Sequence, residues 1–296
     1  MKIDLQMHTT YSDGSNSPQE IAKLAHDTNM TAISVTDHDN MSCFPEVKKA
    51  CWEYWITVIT GVEISTKYKD ESIHILWYNI DPDDEELKTF LHHIVESKKE
   101  TILAQFHLLN QKLKDAGRQE ADPAKYSQKD TKYFNMPWIA LFLFEEWITE
   151  NKEDGFQYIG GIIKTTPETP VQDAITAIHK AWGKAILSHP LAPKISLKNI
   201  SSDEKQREDT LSLFISRWLD GLESYGTGHN KDDIDRCLHM AKKYNLITTA
   251  GSDRHGDLSE DTGMREYLPY YLKNFGDLKV PQEAIEKIIK DLDIKT

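Results

Sequence analysis

The chain has 296 residues, 39% of them hydrophobic, which is ample for a sizeable core in one large domain or one domain carrying an insertion. Its formal net charge of −13 argues against non-specific binding to nucleic acid or docking on anionic lipid, while leaving room for a local positive site built around bound metal. Three cysteines at no metal-ligand spacing, a charged first strand in place of a signal sequence, and a longest apolar run of only Trp138 to Phe144 predict free thiols and a soluble, cytoplasmic protein with no membrane contact.

From the N-terminus, short apolar runs alternate with helical patterns. Strands are expected at 2–7, 31–36, 56–64, 73–79, 184–188, 220–225 and 246–251. Ser17-Pro18-Gln19-Glu20 reads as a capping box with proline at the first helical position, followed by the apolar stripe Ile21, Leu24 and Ala25. Asn230 is placed to cap a helix in which Ile234, Cys237, Leu238 and Ala241 recur at helical spacing. Between 84 and 168 no strand pattern occurs. Leu91, Val95, Leu103, Phe106, Leu109 and Leu113 mark one helical stripe there, and Trp138, Leu141, Phe142, Trp147 and Ile148 another. A last helix near 281–293 is expected to pack on the rest. Seven strands alternating with helices predict an α/β fold, a distorted (β/α)7 barrel made of 1–83 and 169–296, with 84–168 as a helical insertion capping the active site.

Polar residues gather where these strands end. In Ile3-Asp4-Leu5-Gln6-Met7-His8 the period of 2 puts Asp4, Gln6 and His8 on one face, and Asp13 follows. "TDHD" supplies Asp37, His38 and Asp39, "GVEIS" supplies Glu63, the 73–79 strand carries His74, and His189, Asp253 and His255 follow the ends of later strands. Parallel β/α folds bind ligands at strand C-terminal ends. A lone histidine or acid in such a place is more often a hydrogen-bonded structural residue. Histidines and carboxylates converging from several strand ends are the composition of a divalent-metal site.

The motifs "DLQMHTTYSDG", "ISVTDHD", "TGVEIS", "IHILWY", "ILSHP" and "TTAGSDRHG" occur in an order that resembles the polymerase and histidinol phosphatase (PHP) family, and best its stand-alone phosphoesterases. The resemblance implies a distorted (β/α)7 barrel with up to three metals at the strand ends. It implies one metal at Gln6, His8, Glu63 and Asp253, a second at Glu63, His74 and His189, and a third at Asp13, His38 and His255. Gln6 departs from the pattern, since the family has a histidine there. An amide oxygen is neutral, like imidazole, but harder and weaker, which tilts the site from Zn²⁺ towards Mn²⁺, Fe²⁺ or Mg²⁺.

The expected cofactors are therefore two or three divalent ions, Mn, Fe, Zn or Mg. The expected activity is hydrolysis of a small phosphomonoester, a nucleotide or similar, by a metal-activated hydroxide. Asp13 or His229 is the candidate proton carrier, with a structural loop role the rival reading for His229. Asp4 and Asp37 are candidates to orient ligand histidines. Similar nucleotide phosphatases carry an Arg-Pro-His motif in the helical insertion. The matching stretch here is Asn135-Met136-Pro137-Trp138, so Trp138 either stacks on a base or sugar or packs in the insertion. Arg254, Lys67 and Arg265 are the candidate substrate cations, Arg254 foremost because it lies between two ligand positions. A long nucleic acid is not expected as a partner. Hydrolysis of a C–N bond would favour a carboxylated lysine, and only Lys67 lies near a strand end. A degenerate PHP domain serving as a non-catalytic binding or regulatory module is the alternative, suggested by Gln6, Met136 and Trp138.

Overall fold

The computed structural model describes residues 1–129, 134, 136–163, 169–256, 276 and 278–294. In chain order its elements are β1 (Ile3–Asp4), α1 (Pro18–Asp27), β2 (Ala32–Ile33), α2 (Phe44–Trp52), β3 (Thr57–Val58), β4 (Gly61–Tyr68), β5 (Glu71–Tyr78), α3 (Glu85–Ala104), α4 (Phe106–Asp115), α5 (Pro123–Ser127), α6 (Met136–Glu145), α7 (Lys152–Ile159), α8 (Val171–Lys180), β6 (Lys184–Leu187), α9 (Leu197–Ile200), α10 (Glu204–Ile215), β7 (Gly221–Gly226), α11 (Lys231–Tyr244), β8 (Ile247–Gly251) and α12 (Gln282–Asp291).

The strands form two sheets rather than the single parallel set expected. β1, β2 and β3 pair in parallel, and β4 to β8 make a second sheet in chain order. The expected strand 56–64 is broken between Val58 and Gly61, so it contributes to both sheets. β4 and β5 are antiparallel along their full eight residues, Gly61 to Tyr78 through Tyr68 to Glu71, and β5 also runs antiparallel to β6. Only β6, β7 and β8 keep the parallel order in this sheet. The physical reason is the Lys69-Asp70 turn, whose left-handed Lys69 (φ 56°) lets the chain fold straight back without a crossover helix. Polar Thr66, Lys67 and Ser72 hide this hairpin in the sequence by looking like loop.

The two sheets meet at both ends. Leu5 N donates to Ala250 O at 2.9 Å beside β8, and His38 pairs with Glu63 of β4. Ile3, Leu5, Ala32, Leu76, Tyr78, Ile186 and Ala250 fill the space between them, closed from below by Ile285 and Ile288 of α12 and by Leu292 just after it. α1 presents Ile21, Ala22 and Ala25 to the small sheet, and its Ser17–Glu20 capping box forms as the sequence indicated. α8 and α10 cover the large sheet. Helices α3 to α7 gather round a core of their own, with Ile102, Leu109, Tyr126, Ile139, Phe142 and Ile159 fully buried. Cys43, Cys51 and Cys237 are free and buried. Among the described residues no helix is long and apolar enough to cross a membrane.

Candidate metal centre

The ends of β1 and β8 lie side by side. Asp253 N donates to Gln6 O at 2.9 Å and His8 N to Arg254 O at 2.8 Å. This approach requires Gly251, where a Cβ would fall 2.4 Å from both Gln6 Cβ and Glu223 Oε1. It brings His8 Nε2 to 3.1 Å from Asp253 Oδ1 and 3.1 Å from Glu63 Oε2.

The loop after β1 is folded back by Asp37. Its carboxylate accepts from Thr9 N (2.8 Å), Thr9 Oγ1 (2.6 Å) and Ser12 Oγ (2.5 Å). Gly14 packs on the His8 carbonyl, where a Cβ would sit at 2.3 Å. Asp13 is thereby turned towards His8 Nδ1 (3.5 Å), His255 Nε2 (3.3 Å) and His38 Nε2 (3.6 Å). Asp37 thus serves the loop backbone and not a histidine ring. Asp4 does likewise, accepting from Ser252 N at 2.8 Å, and burial pushes its carboxyl up to about 6.

Glu63 is the hub. Its Oε1 lies 3.1 Å from His74 Nδ1, 3.1 Å from His189 Nε2, and accepts from Ser188 Oγ at 2.8 Å. Its Oε2 faces His8 and, at 3.6 Å, His38 Nδ1. Three sets of side chains hold ligand atoms close enough together for a metal ion: His8, Asp13, His38 and His255; His38, Glu63 and His74; and His8, Glu63 and Asp253. His8 and His38 each belong to two of these sets, a sharing that the linear motifs do not reveal. His189 joins through Glu63.

Gln6 is buried beside this group. Its Nε2 donates to Ser188 Oγ at 3.0 Å. Since the Ser188 hydroxyl proton goes to Glu63, the amide nitrogen must face the serine, which leaves Gln6 Oε1 as a buried acceptor with no hydrogen-bond partner. His38 Nδ1 and His189 Nδ1 are in the same condition, while Glu63 Oε2 meets the His8 ring at 3.1 Å. Three such atoms beside an ionised carboxylate are costly in a protein interior, and a divalent cation is what this donor set fits.

The electrostatics agree. Burial alone would raise Glu63, but the facing His38 and His74 rings and the hydrogen bonds from His189 and His74 hold it well below the carboxylate range. Asp13 is held low against its burial by His255, His38 and His8. His8 is raised, because bonds to Asp253 and Glu63 outweigh its burial, and His189 rises to about 9 for the same reason, through Glu63. His38, where burial wins, is held well below 6.5. The ionised Asp13 is suited to holding cations and poorly suited to donating a proton. Asp39, His189 and Asp253 take left-handed backbone angles (φ 52°, 29° and 52°), the kind of local strain that collects where side chains must be aimed.

Three residues of this centre escape the motif reading. Ser188 stands immediately before His189. Glu223 lies in β7, where every residue is buried; it accepts from His189 N at 2.8 Å, and burial lifts its carboxyl well above the usual range. A glutamate inside a wholly buried strand was the available signal. Lys98, on α3, reaches Asp39 Oδ2 at 2.6 Å and Ser65 Oγ at 2.9 Å with both partners buried, and nothing in its lysine-rich helix announces it.

The other expected residues are placed differently. His229 uses both nitrogens on backbone: Nδ1 donates to Ser224 O (3.2 Å), while Nε2 accepts from Leu191 N (3.2 Å). Burial lowers it to about 4. That is the loop clamp, not the proton carrier. Because its folded pKa lies below the ordinary 6.5, its stabilisation is complete above pH 6.5 and is lost as pH falls through 4. About 3 kcal/mol is expected to disappear over that window. Urea titrations at pH 7 and pH 4 check this. A pH dependence unchanged in His229→Gln would contradict it.

Lys67 shares the Glu63–Ser65 face of β4, further from the hub, and its N donates to Thr169 O at 2.8 Å. Arg254 is buried, pairs through its backbone with Met7, and lies near enough to Asp4 to lower that carboxyl. Trp138 is half-buried on α6 against the helical core. Arg265 and Asn135 lie outside the described residues.

Fold and site together define a metal-dependent hydrolase acting on phosphoesters. The chain belongs to the PHP domain family, whose model matches residues 4–184. It is 29% identical over 259 residues to a 5'-3' exoribonuclease of Haemophilus influenzae, a match covering 86% of this chain and 90% of that one. It is 25% identical over 280 residues to a 3',5'-nucleoside bisphosphate phosphatase of Chromobacterium violaceum, covering 90% and 92%. In fold it is similar to a Bifidobacterium adolescentis protein described as a metal-dependent phosphoesterase, with a TM-score of 0.72 at 21% identity over 97% of this chain and 95% of that one.

Proposed function

We propose that the chain hydrolyses a small phosphomonoester of the nucleotide class, with Gln6, His8, Asp13, His38, Glu63, His74, His189, Asp253 and His255 holding two or three divalent ions. The observation that carries this is the clustering of His8, Asp13, His38, Glu63, His74, Asp253 and His255 ligand atoms, with Gln6 Oε1, His38 Nδ1 and His189 Nδ1 buried and without a hydrogen-bond partner. Divalent ions there supply Lewis acidity and a water of lowered pKa, the chemistry that phosphoester hydrolysis needs. Glu63 and Asp13 stay ionised and fix the histidine rings. Ser188 holds Gln6 with its oxygen available. The neutral amide tilts metal choice towards Mn²⁺. The seams at Leu5–Ala250 and His38–Glu63 support reading the two sheets as a distorted (β/α)7-type barrel, with α3 to α7 as its cap.

A second reading, removal of nucleotides from an RNA end, is favoured by the name of the Haemophilus relative. The acidic charge favours the small substrate. Phosphate release with added Mn²⁺ separates them, using nucleotide 3',5'-bisphosphates, mononucleotides, an aryl phosphate and a 5'-phosphorylated oligoribonucleotide. Turnover is expected on the small esters and absent in Asp253→Asn. Gln6→His is expected to raise Zn²⁺ affinity about 10–100-fold while keeping the fold. Activity in Gln6→His alone would mean that the glutamine has disabled the site, and silence in both would favour the non-catalytic module.

A further inference from the structure

Four of the seven tryptophans occupy one kind of position. Trp55, Trp147, Trp182 and Trp218 each follow a helix (α2, α6, α8 and α10) with left-handed φ of 58°, 59°, 60° and 73°. Each closes a complete Schellman motif. The tryptophan N–H reaches back three residues, to Trp52 O, Phe144 O, His179 O and Ile215 O. The next N–H reaches back five, to Cys51 O, Leu143 O, Ile178 O and Phe214 O. This is the position that glycine fills most often, because a Cβ is strained there.

The molecule contains its own comparison. The same motif, with the same pair of backbone bonds, ends three other helical segments at Asn29, Gly117 and Asp293, and Asn245 takes the left-handed cap of α11. These are the small or short polar residues that tolerate αL. No other large aromatic among the described residues has positive φ.

Their side chains gain nothing visible in exchange. They are 89%, 89%, 92% and 70% exposed, whereas tryptophan is ordinarily a highly buried residue. Among the described residues, their ring neighbours are Trp52 at 6.2 Å for Trp55 and His179 at 6.0 Å for Trp218. The residues just after Trp55, Trp147 and Trp218, namely Ile56, Ile148 and Leu219, are buried, as the motif's hydrophobic contact requires. The backbone bonds are therefore intact at all four ends and the hydrophobic contact at three, Gly183 following Trp182, and it is the residue at the centre that departs.

One codon links the two amino acids. UGA is read as tryptophan in some genetic codes and as glycine in others, and it differs from the glycine codon GGA by one base. We infer that Trp55, Trp147, Trp182 and Trp218 stand at UGA codons which the cell that owns this gene decodes as glycine, so that the working protein carries glycine at all four helix ends. The four indoles are then not a docking surface.

The mass of proteolytic peptides spanning these positions, from protein made in the source cells, tests this directly. Glycine at all four is expected, with UGA in the gene, and tryptophan in the peptides or UGG in the gene overturns it. Thermal unfolding of recombinant protein gives a second readout. Each of Trp55→Gly, Trp147→Gly, Trp182→Gly and Trp218→Gly is expected to raise the midpoint, by about 2 °C apiece and nearly additively. The corresponding asparagine variants, which also suit αL, are expected to gain as well. A quadruple glycine or asparagine variant melting at or below the tryptophan form overturns the inference, since the indoles would then be contributing native contacts.

Discussion

Glu63→Gln is expected to lower kcat/KM on the best phosphoester by about 10³-fold or more while leaving the protein folded. The carboxylate faces His8, His38, His74 and His189 and accepts from Ser188, so it touches most of the centre at once. Glutamine has nearly the same shape, so packing of β4 is unchanged. What changes is charge and direction. The amide NH2 would point a donor at rings that need an acceptor, and the group would no longer bring a negative charge to the divalent ions it would help to hold. Metal content should fall with activity. In the metal-free protein the elevation of His189 to about 9, which Glu63 causes against the ring's burial, should be lost. The sign follows for stability. A histidine raised by its partner stabilises fully below pH 6.5 and loses that contribution as pH rises through 9, so the metal-free wild type should lose this stability between those values and Glu63→Gln should not. Metal analysis and NMR titration of the ring protons check both parts. Activity within about tenfold of wild type would remove Glu63 from the hub.

The sequence shows the site better than it shows the frame. His8, Asp13, His38, Glu63, His189, Asp253 and His255 are legible because they sit at or just beyond the end of an apolar run, and strand ends have a strong local signature, while His74 stands out as a histidine inside the apolar run of β5. What the sequence hides is the partnership between them. The motifs assign His8 to one ion, yet its two ring nitrogens face Asp13 on one side and Glu63 with Asp253 on the other. That depends on how the loop after β1 folds back over Asp37, a tertiary fact with no periodicity to read. The β4–β5 hairpin is hidden for a related reason. Lys67 and Ser72 are polar because their part of the hairpin runs towards the surface, and the buried Thr66 spends its hydroxyl on Ile73 O across the hairpin, so a composition that signals loop is in fact strand continuing outward. Glu223 and Lys98 are single residues inside elements read correctly, and a lone charge carries no spacing. Only burial distinguishes them from solvated neighbours.

Lys98→Met is expected to cost about 3–5 kcal/mol of stability, although Lys98 belongs to a helix outside both sheets. Its ammonium ends on Asp39, and the two side chains are 6% and 2% exposed. Asp39 has other duties: its Oδ1 accepts from Ser65 N at 2.7 Å and its own N–H donates to Glu63 O at 2.9 Å. It therefore staples the loop carrying His38 onto the strand carrying Glu63, and Lys98 supplies the cation that makes a buried carboxylate tolerable there. Removing the lysine leaves that charge unpaired, which is the expensive way to break a buried pair. Restoring neutrality should recover most of the loss. In an Asp39→Asn/Lys98→Met double variant the introduced amide oxygen keeps the bond from Ser65 N and carries no charge. Asparagine also suits the left-handed backbone of that position, at φ 52°. Denaturant titration of the four members of this cycle measures the coupling. If the single variant costs less than about 1 kcal/mol, or the double variant is no better than the single, the pair is not what holds the helical region to the centre. With the expected result, kcat/KM should fall in Lys98→Met through His38 misplacement and return in the double variant, which a lysine contacting substrate would not allow.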